Sequence, residues 1–144
     1  MLRRCPVRAV PAAAVLQQRV GGIPGRMGFR EHVSLQVEPQ DDGTSLVVVE
    51  AGDEHLNQHG TVHGGVLATM IDAAMGTAVS STGGDSPVTV SLTVTYLEHG
   101  QPGRLEARAR VRKHGKRLMI VEAEVVQGDD VVADALATFS VKAS

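Results

Sequence analysis

Beyond residue 27 the chain is organised by alternation of apolar and polar positions. Val33, Leu35 and Val37 alternate with polar neighbours, and TSLVVVEA follows the turn signal QDDG, so a β-hairpin is predicted here. In PVTVSLTVTYL, Val88, Val90, Leu92, Val94 and Tyr96 fall on one face of a strand, and Thr89, Ser91, Thr93 and Thr95 on the other. GRLEARARVRK sets Leu105, Ala107, Ala109 and Val111 between charges, KRLMIVEAEVVQ follows a turn at His114 and Gly115, and DVVADALATFSVK follows the turn QGDD. The period changes once. Between Gly64 and about Ser81, the residues Val66, Leu67, Met70, Ile71, Ala74, Met75 and Ala78 recur at helical spacing. The predicted order is strand, strand, helix, then four strands in a meander.

The other faces of that helix carry Ala, Gly, Ser and Thr, and Asp72 is its single charge. A helix this poor in charge belongs in an interior. The expected class is therefore α+β, a strongly curved antiparallel sheet wrapped round one long central helix. A single sheet layer leaves an apolar edge or face uncovered, which predicts a dimer formed through the sheet.

The chain has 144 residues, 42% hydrophobic and 21% charged, which suits one globular domain. Residues 1–26 hold Arg3, Arg4, Arg8, Arg19 and Arg26 with no acidic residue, interrupted by Pro and Gly. They read as a flexible leader or an upstream start ahead of Met27, with a transit peptide as the competing reading, and residues 27–144 as the domain. A net charge of -2 offers no footprint for general binding to nucleic acid. Cys5 is the only cysteine, so no internal disulfide forms, and no run is long and apolar enough for a membrane span; a cytoplasmic protein is expected.

A carboxylate on a buried helix carries a desolvation cost, so Asp72 either reaches solvent or a nearby loop, or lines a cleft as general base or nucleophile. The segment NQHGTVHGG enters the helix through Gly64 and Gly65, whose backbone N–H groups at a helix N-terminus suit an oxyanion. An oxyanion site and one carboxylate together supply both halves of acyl-transfer chemistry. His55, His59 and His63 are spaced by four, but Gly60, Thr61 and Val62 disfavour a helix between the last two and no HExxH or cysteine partner is present. Neither metal nor cofactor is expected.

NQHGTVHGG followed by VLATMIDAAMGTA, and continued through VTVSLTVTYLEHGQPGRLEARARVRKHGKRLMIVEAEV, resembles the hotdog-fold acyl-CoA thioesterases of the PaaI-like, phenylacetate-pathway group. The resemblance runs from about Phe29 to the C-terminus. His99 in YLEHG stands where that family commonly has a proline. The resemblance implies a six-stranded sheet round the helix, dimers that pair into tetramers, and an acyl-CoA substrate. It also implies a catalytic set of Asn57, His63, Gly64, Asp72 and Thr89, with Gly64 of one subunit meeting Asp72 of another. Asn57 would orient the carbonyl or the water, His63 would hold the loop, and Thr89 would hold the water or the carboxylate. Lys113, His114, Lys116 and Arg117 cluster at a turn, either as contacts for the CoA phosphates or as a solvated hairpin tip. A hotdog-fold dehydratase or hydratase and a non-catalytic acyl-CoA binder are the alternative functions. The acyl group is not legible, although 2% aromatic residues offer little to stack on an aryl ring.

Overall fold

A computed structural model describes residues 27–142; the expected leader, residues 1–26, lies outside the described residues. A short helix α1 (Phe29–His32) leads to β1 (Gln36–Pro39) and β2 (Thr44–Ala51). The long helix α2 (Gly64–Ser81) follows, then β3 (Asp85–Tyr96), β4 (Gly103–His114), β5 (Leu118–Gln127) and β6 (Asp130–Lys142). All six strands join one antiparallel sheet in the spatial order β1-β2-β4-β5-β6-β3, with α2 packed on one face of it. This is the expected α+β architecture.

The helix is seated because both surfaces are small where they meet. Across the helix-facing rows of β4, β5 and β6 run the pairs Ala109↔Ala123, Ala123↔Ala135 and Val121↔Ala137. On α2, Leu67, Met70, Ile71, Ala74, Met75 and Ala78 are buried against them. Alanine on the floor lets the helix axis come close, and the long side chains of α2 fill the rest of the interior. At its C-terminal end the hydroxyls of Ser81 and Thr82 donate to the carbonyls of Ala78 and Val79, which have no further turn to bond.

Four expectations are corrected. Val33 is not in a strand: it sits in the turn after α1, and β1 begins only at Gln36, because Ser34 takes a left-handed φ of 58° that breaks the extended run. The meander contains three strands, β4-β5-β6, while β3 lies at the far edge beside β6. Alternation identifies strands but not their partners. Residues 97–102 between β3 and β4 are too many for a tight hairpin and long enough to pass over the sheet end.

The third correction concerns β3, whose alternation is interrupted. Thr89 pairs with Phe139 and Ser91 with Thr138, so Val90 is an extra residue, a β-bulge. Past the bulge Leu92 and Val94 pack on the core, whereas Val88 before it and Val90 in it are each 60% exposed and Thr89 turns toward α2. The fourth concerns the surface of the helix: the sheet wraps α2 as expected, but one stripe of it stays open. Gly65, Asp72 and Ser80 are exposed, and Thr69, Gly76 and Thr77 half-buried, which at this spacing is one stripe. In a single protomer Asp72 is thus exposed and not a buried charge.

The other face of the sheet is ionic. Arg104 and Arg108 both bond Glu106, and Arg110 bonds Glu122 of the neighbouring strand. Partial burial raises the Glu106 pKa, but the hydrogen bonds and charges of Arg108 and Arg104 outweigh it and hold the carboxyl below the usual range.

Two outcomes follow. Ile71→Ala, at a fully buried position, is expected to cost about 2–5 kcal/mol, read as a lower urea midpoint, whereas Ser80→Ala on the open stripe stays within about 0.5 kcal/mol. Because the native pKa of Glu106 is lowered, its contribution to stability is present above the ordinary glutamate pKa and lost as pH falls through the native value. Glu106→Gln should flatten the acid side of a stability-against-pH curve; an unchanged curve would remove Glu106 from that balance.

Candidate active site

The loop before α2 is held by side-chain hydrogen bonds. His63 is the N-cap, and its Nδ1 accepts the Gly65 N–H at 2.9 Å. That occupies Gly65 and leaves Gly64, the first helical residue, as a donor with no intrahelical acceptor. Tyr96 Oη donates to the Gly64 carbonyl at 2.9 Å, and a Cβ at position 64 would lie 3.3 Å from the Tyr96 ring, so glycine is what allows this close approach. Asn57 organises the turn upstream. Its Oδ1 accepts from the N–H of His59 at 2.9 Å and of Thr61 at 3.3 Å, and its Nδ2 donates to Thr61 Oγ1 at 3.0 Å. Asn57, Gly64 and Tyr96 line one depression of about 190 Å3 with Glu98 and His99.

Asp72 lies eight residues further along α2, about 12 Å from Gly64 by helical rise. Thr89 Oγ1 donates to Asp72 Oδ1 at 2.7 Å, and Oδ2 has no hydrogen-bond partner among the described residues. This pair opens on a second, larger cleft of about 700 Å3 between α2, β3, α1 and β1. Its walls are largely apolar, with Leu35, Val37, Ala68, Ala73 and both phenylalanines of the chain, Phe29 and Phe139. The low aromatic content is therefore concentrated here, which composition did not suggest.

The structure brings Asn57, His63 and Gly64 together at the start of α2, and Asp72 together with Thr89; Asn57 and Gly64 line one depression of the chain, Asp72 and Thr89 the other, and His63 lines neither. Lys113, His114, Lys116 and Arg117 are exposed at the β4–β5 turn and line neither. The three evenly spaced histidines serve different ends. His55 is 2% exposed and joins Gly52 N–H at 3.0 Å to the Val33 carbonyl at 2.8 Å, His63 caps α2, and His59 is exposed. No group of three or more metal-ligating side chains occurs among the described residues, and no described helix is long and apolar enough to cross a membrane. Sequence reasoning missed Tyr96 and α1. Tyr96 was legible only as a strand residue, because its contact depends on β3 passing the first turn of α2.

This geometry can be set beside known proteins. Residues 59–133, just over half of the chain, match the Thioesterase superfamily. The acyl-coenzyme A thioesterase PaaI of Escherichia coli is 30% identical over 95 residues, covering 65% of this chain and 67% of its own. Acyl-coenzyme A thioesterase 13 of Mus musculus is 31% identical over 105 residues, covering 72% and 74%. A hypothetical thioesterase of Streptococcus pneumoniae, solved with coenzyme A, superposes with a TM-score of 0.71 at 27% identity, over 76% of this chain and 90% of that one. The matched interval contains α2 with its capping histidine, Gly64, Asp72 and Thr89. The chain thus belongs to the Thioesterase superfamily and, within it, to the PaaI-like hotdog-fold acyl-CoA thioesterases.

Proposed function

We propose that the protein hydrolyses acyl-CoA thioesters to a free acid and CoA in sites shared between two protomers, with Asp72 of one and the Gly64 N–H of the other acting on one thioester. The observation that carries this is the division of the chemistry along α2. Asp72, oriented by Thr89, opens on the apolar cleft, while the free helix-terminal donor faces a different depression about 12 Å away. A thioester carbonyl cannot touch both within one chain. A second protomer resolves this, and β3 is suited to receive one, since it is an edge strand twelve residues long whose Val88 and Val90 are exposed.

In the reaction the Gly64 N–H, at the positive end of α2, stabilises the charge that develops on the carbonyl oxygen. Asp72 takes a proton from water as it attacks, or attacks the carbonyl itself before water releases the acid. Either way the C–S bond breaks and the thiol leaves with a proton. Few groups are needed, because a thioester carbonyl is electrophilic and a thiolate leaves readily. Thr89 holds the carboxylate, His63 and Tyr96 hold the Gly64–Gly65 peptide that adjoins the donor, and Asn57 fixes the loop beside it. The pairing of dimers into tetramers belongs to the same proposal.

Asp72→Asn keeps the size but removes the charge, so thiol release is expected to fall roughly a hundredfold or more with KM little changed. Folding stability should stay close to that of the parent, because this side chain is exposed in the protomer. Near-normal turnover would return Asp72 to a structural role, and binding of acyl-CoA without thiol release by the parent protein would make it a binder.

Sedimentation should show a dimer or larger species at micromolar concentration. In a mixed dimer of Asp72→Asn with Gly64→Val, one site carries both lesions and the other neither, so about half the parent activity should return. An active monomer, or no recovery in the mixed dimer, would rule out sharing.

A further inference from the structure

The Asp72 cleft contains one cation, Arg30 on α1. Most other polar groups of its wall are already engaged. Thr69, Thr77 and Ser81 donate their hydroxyl hydrogens to α2 carbonyls, and Asp72 is bonded by Thr89. Arg30 has no side-chain hydrogen bond or ion pair among the described residues, and in particular none to Asp72, although both line the same cleft. The two are set across the cleft by topology: Thr89 belongs to the edge strand β3, while α1 leads into the opposite edge strand β1. The same cleft is lined by the small and apolar residues Ala68, Ala73, Gly76, Leu35 and Val37.

We infer that Arg30 receives a carboxylate at the far end of the acyl group, so that the cleft selects the thioesters of dicarboxylic acids over uncharged acyl chains of equal length. This rests on the reading of the cleft as the site of thioester hydrolysis. A guanidinium presents a planar fork that matches a carboxylate with two parallel hydrogen bonds. Its partial burial beside apolar walls strengthens that pairing relative to open water. The apolar walls suit methylenes, and Arg30, which makes no ion pair with Asp72, can receive a carboxylate apart from that like charge. The nucleotide of CoA is a poorer occupant, since its phosphates need several cations and solvent, whereas this compartment has one cation and mostly carbon walls.

The test compares adipoyl-CoA with hexanoyl-CoA, which differ only in the terminal carboxylate, and repeats both as pantetheine thioesters that lack the nucleotide phosphates. The expected kcat/KM ratio favours adipoyl by about tenfold in both series. Arg30→Met should abolish this ratio and Arg30→Lys should restore part of it. A ratio near one in the parent protein, or a preference that survives in Arg30→Met, overturns the inference. So does a loss in Arg30→Met that appears equally for both acyl groups with CoA and vanishes with pantetheine, which would assign the guanidinium to the nucleotide phosphates. Binding of the non-hydrolysable thioether analogues separates this inference from the reading beneath it. A tenfold preference for the adipoyl analogue without turnover of any thioester would sustain Arg30 and overturn hydrolysis. Turnover of both thioesters without that preference would do the reverse.

Discussion

The structure depends on burying the apolar side of one 18-residue helix against a sheet six strands wide. Such a helix is about 27 Å long and, with side chains, about 10 Å across, so a flat sheet would leave much of it in water. The sheet must curve, and the alanine rows of β4, β5 and β6 make the curvature possible by removing bulk from the floor. Even so, six strands do not close around the helix. The edges β1 and β3 remain apart, and the gap between them exposes a stripe of small and polar residues on α2. The cleft is this gap, and Asp72 is the one charge on the stripe. What looked like a charge placed in a core is a charge placed where the core stops.

The contact between Asp72 and Thr89 depends on a local irregularity. A regular β3 that kept Leu92 and Val94 on the core would turn Thr89 away from α2, since side chains alternate. The extra residue at Val90 reverses the phase, so that Thr89, Leu92 and Val94 all face the helix. The consequence is that Val88 and Val90 are presented to solvent on an edge strand, an arrangement proteins usually cover. The same residue shift therefore orients the carboxylate and creates an apolar edge that favours a second protomer.

The helix also separates two kinds of electrostatic help. Its N-terminus offers the Gly64 N–H and a partial positive charge, which only the first turn can deliver. Its middle offers a side chain but no backbone group, because every N–H and carbonyl there is bonded within the helix. The proposed hydrolysis uses both kinds at one carbonyl, and α2 cannot bend back on itself to supply them. Under the proposed mechanism, the rigidity of this helix is what calls for a second protomer.

The elements were legible from the sequence where a local rule governs them. The helical spacing from Val66 to Ala78 marked α2, alternation marked β4, turn signals before apolar runs marked β2, β5 and β6, and HGG with Asp72 marked the residues of the candidate site, because each depends on neighbours in the chain. Tertiary structure alone decided the rest. Strand order was one such matter, since alternation shows that a segment is a strand but not beside which strand it lies. The helix-facing position of Thr89 depended on a bulge that only pairing with β6 reveals. The contacts of Tyr96 with Gly64, and the meeting of Phe29, Arg30 and Phe139 in one cleft, join residues far apart in the chain. The curvature of a shared sheet brings them together, and no local pattern encodes it.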